Sequence, residues 1–219
     1  MSAIFITGAG TEVGKTLAAC ALIETLRARG RAVGAYKPVL SGFDPGAPED
    51  CDAGRLLAAL GRPVTPQTLD EIAPLRFLAP LSPPDAARRE GISLGLADLT
   101  ATCQARMAST PGLLLIEGAG GVMSPIAADG LNLDLMERLD LPVVLAAANY
   151  LGAISHVLTA LTAISTRKLR VAAVVLQDLE PGGPELADTA AALRLHAPGA
   201  PVLAGAGWRD ALADIVAGG

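Results

Sequence analysis

The clearest chemical pattern lies near the N-terminus, in residues 8–16 (GAGTEVGKT). This stretch follows an apolar run that predicts a strand and opens an amphipathic run that predicts a helix. In that context the backbone N–H groups of a glycine-rich turn and the positive end of the helix dipole bind phosphate oxygens. Lys15 is then expected to reach the β- and γ-phosphates, and the Thr16 hydroxyl to bind Mg²⁺. The spacing departs from the general phosphate-loop pattern, because five residues separate Gly8 from the glycine before the lysine.

A second group of polar residues follows two other apolar runs. Glu117 ends the apolar run that begins residues 113–121 (LLLIEGAGG). Lys37 ends the run of residues 32–37, and Ser41 comes shortly after it, within residues 36–42 (YKPVLSG). Ligands of open parallel sheets bind outside the carboxyl ends of the strands, so these side chains are predicted to face the phosphate loop. A carboxylate at the place of Glu117 holds Mg²⁺ in phosphate-loop proteins. The alternatives are a strand-end glutamate and a surface lysine, both in solvent.

Asp52 opens a further predicted helix and allows two interpretations. It caps that helix, or it completes an oxygen ligand set for Mg²⁺ with Thr16 and Glu117. Lysine usage adds weight to the motifs, because only three of the 17 basic residues are lysines, and Lys15 and Lys37 are two of them. Arginine replaces lysine at most solvated positions but not where a compact ammonium is needed.

The remaining pattern predicts a regular alternation of strands and helices. Short apolar runs predict strands at 3–7, 32–37, 113–117, 142–147 and 171–176. Amphipathic runs predict helices at 15–29, 52–60, 96–108, 131–139, 154–166 and 185–195. This order is typical of a single α/β domain over residues 1–219, with a mostly parallel sheet covered by helices on both faces in the manner of the three-layer P-loop NTPases. The proline-rich stretch 61–95 is predicted to run over the ligand edge, and residues 199–219 to hold one short strand and one short helix.

Composition excludes several classes of protein. Hydrophobic residues make up 51% of the 219 residues and charged residues 18%, which excludes intrinsic disorder. A net charge of −5 argues against a large basic surface for nucleic acid. The three cysteines form no CxxC pair, which disfavours a disulfide framework or a zinc site. No signal peptide is recognisable, and the longest apolar run, residues 141–154, is too short to span a bilayer, so a soluble cytoplasmic protein without a membrane partner is expected.

Together these motifs resemble the dethiobiotin synthetases, the ATP-dependent carboxylases of biotin synthesis. The resemblance covers nearly the whole chain and is most specific in residues 8–16, 36–42, 117–121 and 151–156. It implies a cytoplasmic homodimeric ligase that joins 7,8-diaminononanoate and CO₂ or bicarbonate, using ATP and Mg²⁺, through a carbamate and a carbamic–phosphoric anhydride. The product would be dethiobiotin, with ADP and phosphate. The five-residue spacing of the phosphate loop is then this family's own variant.

The resemblance also implies roles for single residues. The magnesium ligands would be Thr16, Asp52 and Glu117. The catalytic residues would be Lys15, Lys37, Thr11 and Glu12. Nucleotide contacts would come from Gly8, Gly10, Thr11, Glu12, Val13, Gly14, Lys15, Thr16, Glu117, Gly118, Ala119, Gly120, Gln177 and Gly207. The diamine would be held by Lys37 and Ser41, and its carboxylate, across the dimer interface, by Gly152, Ala153, Ile154 and Ser155.

The chain departs from the family pattern at a few positions. Tyr150 replaces a commonly basic residue and Ser155 a common asparagine, which bears on the carboxylate end of the substrate. Gln177 stands where asparagine usually meets adenine, and Gly207 replaces a proline, which bears on base selectivity. Two further departures are Gly10 of the phosphate loop, where the family often has aspartate, and Pro84-Asp85, which replaces the usual histidine.

Two rival functions use the same motifs. An amide-forming ligase similar to cobyrinic acid diamide synthase usually carries a further glutaminase region with a nucleophilic cysteine, which these 219 residues do not contain. A nucleotide switch similar to the plasmid-partition and division-site ATPases carries an extra lysine early in the phosphate loop, where this chain has Ala9 and Gly10. Turnover that depends on a small-molecule substrate, rather than on a protein partner, separates these classes.

Overall fold

Six strands form one parallel sheet in the computed structural model, which describes residues 3–179 and 181–218. The strands, in chain order, are β1 (Ala3–Gly8), β2 (Val33–Tyr36), β3 (Val39–Ser41), β4 (Leu75–Phe77), β5 (Leu113–Glu117), β6 (Pro125–Ala127), β7 (Gly130–Leu131), β8 (Val143–Ala148), β9 (Val171–Gln177) and β10 (Val202–Leu203). The central sheet has the order β10-β9-β8-β1-β5-β2, and every neighbouring pair in it is parallel. Strands β3 and β4 form a parallel pair, and β6 and β7 an antiparallel pair.

Helices cover both faces of this sheet. They are α1 (Lys15–Ala28), α2 (Asp52–Ala59), α3 (Pro66–Ile72), α4 (Pro83–Arg89), α5 (Leu96–Ser109), α6 (Asn132–Leu139), α7 (Ala153–Thr166), α8 (Leu186–His196) and α9 (Trp208–Gly218). Successive side chains of β1 point to opposite faces, as strand geometry requires. Ile4 and Ile6 pack with residues of α1, α2, α3 and α9, whereas Phe5 packs with residues of α4 to α8. The predicted three-layer α/β fold is confirmed.

Most predicted elements are found within a few residues of their expected bounds. The stretch 61–95 is different, because the prediction of a long excursion missed α3, β4 and α4. Two of these elements begin at prolines, Pro66 and Pro83, which suit the first turn of a helix because proline lacks the N–H that would be unsatisfied there. Thr65 and Thr68 form a reciprocal capping box around the start of α3. In this stretch these two prolines mark helix starts and not irregular chain.

The C-terminal prediction of one short strand and one short helix corresponds to β10 and α9. None of the helices in the described ranges has both the length and the apolar character needed to cross a membrane. That residues 1–219 form one domain stays a prediction.

The parallel order brings the carboxyl ends of five strands to one edge of the sheet. β1 ends at the phosphate loop, β2 one residue before Lys37, β5 at Glu117, and β9 at Gln177. β8 ends one residue before Asn149. Residues that lie up to 163 positions apart in the chain thus meet at this edge.

Candidate functional site

The phosphate loop leaves β1 at Gly8 and enters α1 at Lys15. Gly14, directly before the helix, has a left-handed backbone conformation with φ 86°, which glycine adopts without strain. Gly8 is also tightly enclosed, since a Cβ there would lie 2.7 Å from Val13 Cγ2 and 2.8 Å from the Gly10 carbonyl oxygen. These glycines allow the chain to turn closely around the space in front of the helix, where the N–H groups of the first turn have no helical partner.

Lys15 folds back over this loop. Its Nζ donates a hydrogen bond to the Gly10 carbonyl at 3.0 Å. Burial lowers the pKa of Lys15 to about 8, and the nearby positive charge of Lys37 adds to the shift, against the opposing charges of Glu117 and Asp52. A bound polyphosphate would supply negative charge beside Lys15 and so stabilise its ammonium form.

Thr16, Lys37, Asp52 and Glu117 form a compact group that we call the ion cluster. Thr16 Oγ1 lies 2.8 Å from Asp52 Oδ1 and 2.9 Å from Glu117 Oε1. Lys37 Nζ donates to Asp52 Oδ2 at 2.7 Å, to Glu117 Oε1 at 2.6 Å and to the Gly118 carbonyl at 3.1 Å. The three predicted magnesium ligands and one predicted catalytic lysine therefore meet in space.

Lys37 and Glu117 are almost completely buried, each with 1% of its surface exposed. Burial alone would lower the pKa of Lys37, but the charges and hydrogen bonds of Glu117 and Asp52 outweigh it and raise that pKa. The three protons of the ammonium match three acceptors. The solvated alternatives for these two side chains are thereby excluded.

The two carboxylates respond differently to this environment. Burial raises the pKa of Glu117, helped by the neighbouring charge of Asp52 and opposed by Lys37. Burial also acts upward on Asp52, but Lys37 and the hydrogen bond from Thr16 outweigh it and lower the pKa of Asp52. The Asp52 side chain is 35% exposed, so its carboxylate lies on the solvent side of the cluster.

Oxygen chemistry at the cluster fits a magnesium ion. Glu117 Oε2 is buried and has no hydrogen-bond partner among the described residues. Thr16 has one proton for two carboxylate neighbours. Within residues 3–179 and 181–218 no three His, Cys, Asp or Glu side chains are grouped to hold a metal. Mg²⁺ commonly uses one or two carboxylates together with water and substrate phosphates, so this set suits an ion that arrives with a nucleotide.

Asp52 reaches the cluster because the residue before it caps α2. Cys51 Sγ accepts from the Gly54 N–H at 3.4 Å, and its own thiol donates to the Pro48 carbonyl at 3.0 Å. A Cβ on Gly54 would lie 2.3 Å from that same carbonyl oxygen, so the preceding loop packs directly against the helix. The capping role considered for Asp52 belongs to Cys51, which leaves the Asp52 carboxylate free for the cluster.

The loop after Glu117 is held by a residue that the sequence did not single out. Asn132 is fully buried, and its Nδ2 lies 2.5 Å from the Ala119 carbonyl and 2.9 Å from the Gly121 carbonyl. A Cβ on Gly118 would approach Asn132 Oδ1 to 2.5 Å. The predicted nucleotide contacts Gly118, Ala119 and Gly120 therefore belong to a loop that the buried Asn132 side chain holds through hydrogen bonds. The one available sequence signal was a polar residue at the start of a predicted helix.

Other predicted site residues lie around the cluster without joining it. Thr11 and Glu12 are exposed in the phosphate loop, and Thr11 Oγ1 would lie 3.9 Å from a Cβ on Gly120 of the facing loop. Ser41 ends β3, and its buried Oγ has no partner among the described residues. Gly207 has φ 83° and precedes α9. Gln177 donates from Nε2 to the Gly14 carbonyl at 3.0 Å, which places it against the phosphate loop.

The predicted carboxylate-binding segment is a separate region at the start of α7. Gly152 has φ 104° and precedes the helix, and the neighbouring Leu151 is 92% exposed. Tyr150 and His156 contact each other, with 2.5 Å between the phenol oxygen and Nδ1. An open groove of about 1060 Å³ runs along α7; its lining includes Met123, Leu133, Ile154, Ser155 and Leu158. In the described parts of the chain, no hydrogen bond joins residues 152–155 to the ion cluster.

Comparison with known proteins adds sequence evidence. A family model described as an AAA domain matches residues 2–214. The chain is 52% identical to an ATP-dependent dethiobiotin synthetase of Phenylobacterium zucineum (strain HLK1), over 99% of this chain and 96% of the relative. It is 49% identical to a protein of the same name from Caulobacter sp. (strain K31), over 98% and 94% of the two chains.

Solved structures resemble the chain in fold alone. The 54 kDa signal recognition particle protein of Aeropyrum pernix K1, solved with GDP, has a TM-score of 0.51 at 16% identity over 98% of this chain. The signal recognition particle receptor FtsY of Elizabethkingia anophelis has a TM-score of 0.52 at 13% identity over 95%. This chain spans 46% and 60% of the length of those two chains.

Proposed function

Because the chain belongs to the ATP-dependent dethiobiotin synthetase family, we propose that its phosphate loop and ion cluster convert 7,8-diaminononanoate and CO₂ into dethiobiotin, with release of ADP and phosphate. The chain is accordingly an ATP-dependent ligase of biotin synthesis that acts on small molecules, with ATP as co-substrate. The chemical steps that follow, and the residue that performs each, are what we propose.

The observation that carries this proposal is the placement of Lys37. A buried ammonium lies between two carboxylates, and the same carboxylates contact Thr16 of the phosphate loop. Lysine, acid and phosphate-loop residues thus lie within hydrogen-bond distance of one another, as suits a reaction that joins an anion to a phosphate. Since the three protons of Lys37 are already matched, we infer that it gives up one of these bonds to contact a substrate anion.

The first step needs a neutral amine. An alkyl ammonium has no lone pair, whereas fixed positive charge nearby lowers the pKa of an amine and favours its neutral form. Lys15 and Lys37 are proposed to supply that field, with a bound Mg²⁺ offsetting the carboxylates of Asp52 and Glu117. The amine nitrogen then bonds to the carbon of CO₂, one C–O π pair moves onto oxygen, and a proton on the nitrogen goes to solvent, which gives a carbamate. The same two ammonium groups stabilise the carbamate's negative charge, and Thr11, Glu12 and Ser41 are proposed to lie beside the diamine.

Phosphoryl transfer and ring closure follow. A carbamate oxygen attacks the γ-phosphorus, the bond to ADP breaks, and a carbamic–phosphoric anhydride forms. The second amine attacks the carbonyl carbon, phosphate leaves with the electron pair of its bond to carbon, and the released proton goes to solvent. Positioning and stabilisation of charge supply most of the acceleration in such transfers.

The nucleotide is proposed to bind across the loops at the carboxyl edge of the sheet. Residues 8–16 would surround its phosphates, residues 118–120 would line the opposite side, and Gln177 and Gly207 would lie toward the base. Thr16, Asp52 and Glu117 would hold Mg²⁺, which when bound neutralises charge on the β- and γ-phosphates. The buried, unpartnered Glu117 Oε2 supports that assignment.

The substrate carboxylate is proposed to bind at residues 152–155 of a second copy of the chain. Support comes from the apolar groove along α7 and from the exposure of Leu151 beside it, which a homodimer would cover. Sedimentation at several protein concentrations tests this: a dimer mass is expected, and a monomer at concentrations where the enzyme is active would contradict the shared site.

Turnover tests the proposed reaction. Purified protein with Mg²⁺, ATP and bicarbonate should release ADP together with dethiobiotin, identified by mass, only when 7,8-diaminononanoate is present. ADP release that is independent of the diamine would show that the substrate pocket has been assigned wrongly. The phosphate loop would then still bind the nucleotide, and a partner-dependent switch would become the better interpretation.

A further inference from the structure

The side chain of Gln177 makes a contact that bears on phosphate binding. Gln177 is the last residue of β9 and is 5% exposed. Its Nε2 lies 3.0 Å from the Gly14 carbonyl oxygen, although 163 positions separate the two residues. We propose that Gln177 is a positioning residue for the phosphate loop, which orients a phosphate-binding N–H by holding the peptide group between Gly14 and Lys15. This inference rests on the phosphate-binding role proposed for residues 8–16.

Because of peptide geometry, the direction of the Gly14 carbonyl fixes the direction of the Lys15 N–H. A trans peptide group is planar, so its C=O and the following N–H point in opposite directions. The Gly14 carbonyl accepts from Gln177 and also from the Ala18 N–H at 2.9 Å, the first hydrogen bond of α1. Two donors that hold the carbonyl toward the helix keep the Lys15 N–H directed away from it, into the loop. That N–H is one of the donors that a helix start offers to an anion.

Gly14 has no side chain that could cap α1 or fix its own peptide group. It precedes α1 in a left-handed conformation and makes no side-chain cap. A Cβ at this position would lie 2.4 Å from Gln177 Nε2, so the glutamine amide fills the space that a larger residue would take. Glycine has wide backbone freedom, and a neighbouring strand that holds its carbonyl restricts that freedom in the folded state.

The other end of Gln177 is firmly anchored. Its strand pairs with β8 through the partners Ala148 and Gln177, and its carbonyl accepts from the Asn149 N–H at 2.7 Å. A residue fixed in the central sheet can therefore hold the Gly14 carbonyl in place. The nucleotide arrangement proposed above also sets Gln177 toward the base, so the rival role is that Gln177 reads the base through Oε1, which is buried and has no partner among the described residues.

Inorganic tripolyphosphate separates the two roles, because it carries phosphates and no base. Gln177→Met keeps the length of the side chain and removes the donor. We expect it to weaken the binding of tripolyphosphate and of ATP by the same factor, at most about fivefold, which is the full value of one neutral hydrogen bond. Isothermal titration gives both affinities, and steady-state kinetics should show a raised KM for ATP with an unchanged KM for the diamine. The exposed Gln104→Met is the matched control and should change neither.

The two affinities together distinguish positioning of the phosphate loop from reading of the base. Weaker ATP binding with unchanged tripolyphosphate binding would overturn the inference in favour of base reading, and unchanged binding of both would show that the contact positions nothing. If the methionine variant does not fold, Gln177→Asn serves instead, since it keeps the amide but is one methylene too short to reach Gly14. Wild-type protein that binds neither ATP nor tripolyphosphate would instead contradict the proposed function itself.

Discussion

The ion cluster and the start of α7 are both proposed to hold substrate, yet they are built in opposite ways. In the cluster, Lys37 and Glu117 are buried and the ammonium has an acceptor for each proton. At the start of α7, Leu151, Gly152, Ser155 and His156 are exposed, and the Tyr150 phenol contacts the exposed His156. The cluster thus holds its geometry within one chain, whereas the α7 segment depends on what covers it. Substitutions should accordingly cost most in the cluster.

Lys37→Gln should have the largest effect. It removes the charge that compensates buried Glu117, and activity should fall at least about a hundredfold, as it does when one group that stabilises transition-state charge is removed. Stability should fall by about 3 kcal/mol, because one partner of a buried ion pair is lost. Steady-state turnover and urea unfolding measure the two effects. The exposed Lys168→Gln is the control, and equal effects from both variants would contradict the buried role of Lys37.

Lys15 should make stability depend on pH. Its folded-state pKa of about 8 lies below the value of about 10.4 expected for an unfolded lysine. The unfolded state therefore binds more protons between these values, so the contribution of Lys15 to stability rises with pH through this window and is lost as pH falls through 8. The stability of wild type minus that of Lys15→Met should increase by about 2 kcal/mol from pH 7.5 to 9.5. A constant difference in urea unfolding would contradict the shifted pKa.

Asp52→Asn should have a smaller effect than Lys37→Gln, because Asp52 is half-buried and Glu117 remains in place. We expect the Mg²⁺ concentration for half-maximal turnover to rise about tenfold, as the loss of one charged ligand predicts. Asp50→Asn, an exposed aspartate two residues earlier, is the matched control and should leave that concentration unchanged. An unchanged magnesium requirement in Asp52→Asn would remove Asp52 from the proposed ligand set.

Cys51 tests whether the cap of α2 matters for the cluster. Cys51→Ala removes the acceptor for the Gly54 N–H and should cost about 1 kcal/mol of stability, the usual effect of losing a cap. Cys51→Ser keeps an acceptor and should be at least as stable as wild type. Thermal unfolding compares the pair. A serine variant as unstable as the alanine variant would show that the sulfur contributes by packing rather than by capping.

Tyr150→Phe should have the smallest effect. It removes only the exposed contact with His156, so stability should change by less than about 0.5 kcal/mol. The KM for ATP should not change, and the KM for the diamine should change no more than about twofold. A tenfold rise in the diamine KM alone would place the phenol in the substrate site. It would also show that the α7 segment is as sensitive to substitution as the ion cluster.

Much of this arrangement follows from local patterns in the sequence. Strands and helices that alternate in the chain give a parallel sheet, and glycines before Lys15 and after Glu117 identify the loops that leave it. These features are local, since hydrophobic periodicity and backbone freedom belong to neighbouring residues. The phosphate loop and the positions of Lys37 and Glu117 at strand ends were therefore predictable. The two helices of residues 61–95 were not, because their starting prolines look the same as those of a loop.

Tertiary structure alone decided which of these residues touch. The sheet order β10-β9-β8-β1-β5-β2 places β1 next to β5 and β5 next to β2, and this brings Thr16, Lys37 and Glu117 together. The same packing brings Asn132 against the loop after Glu117 and Gln177 against Gly14. Side chains this far apart in the chain leave no common local pattern. Their contacts arise from the way helices and strands bury both faces of the sheet, and the burial of Lys37 turns an ordinary lysine into the centre of the site.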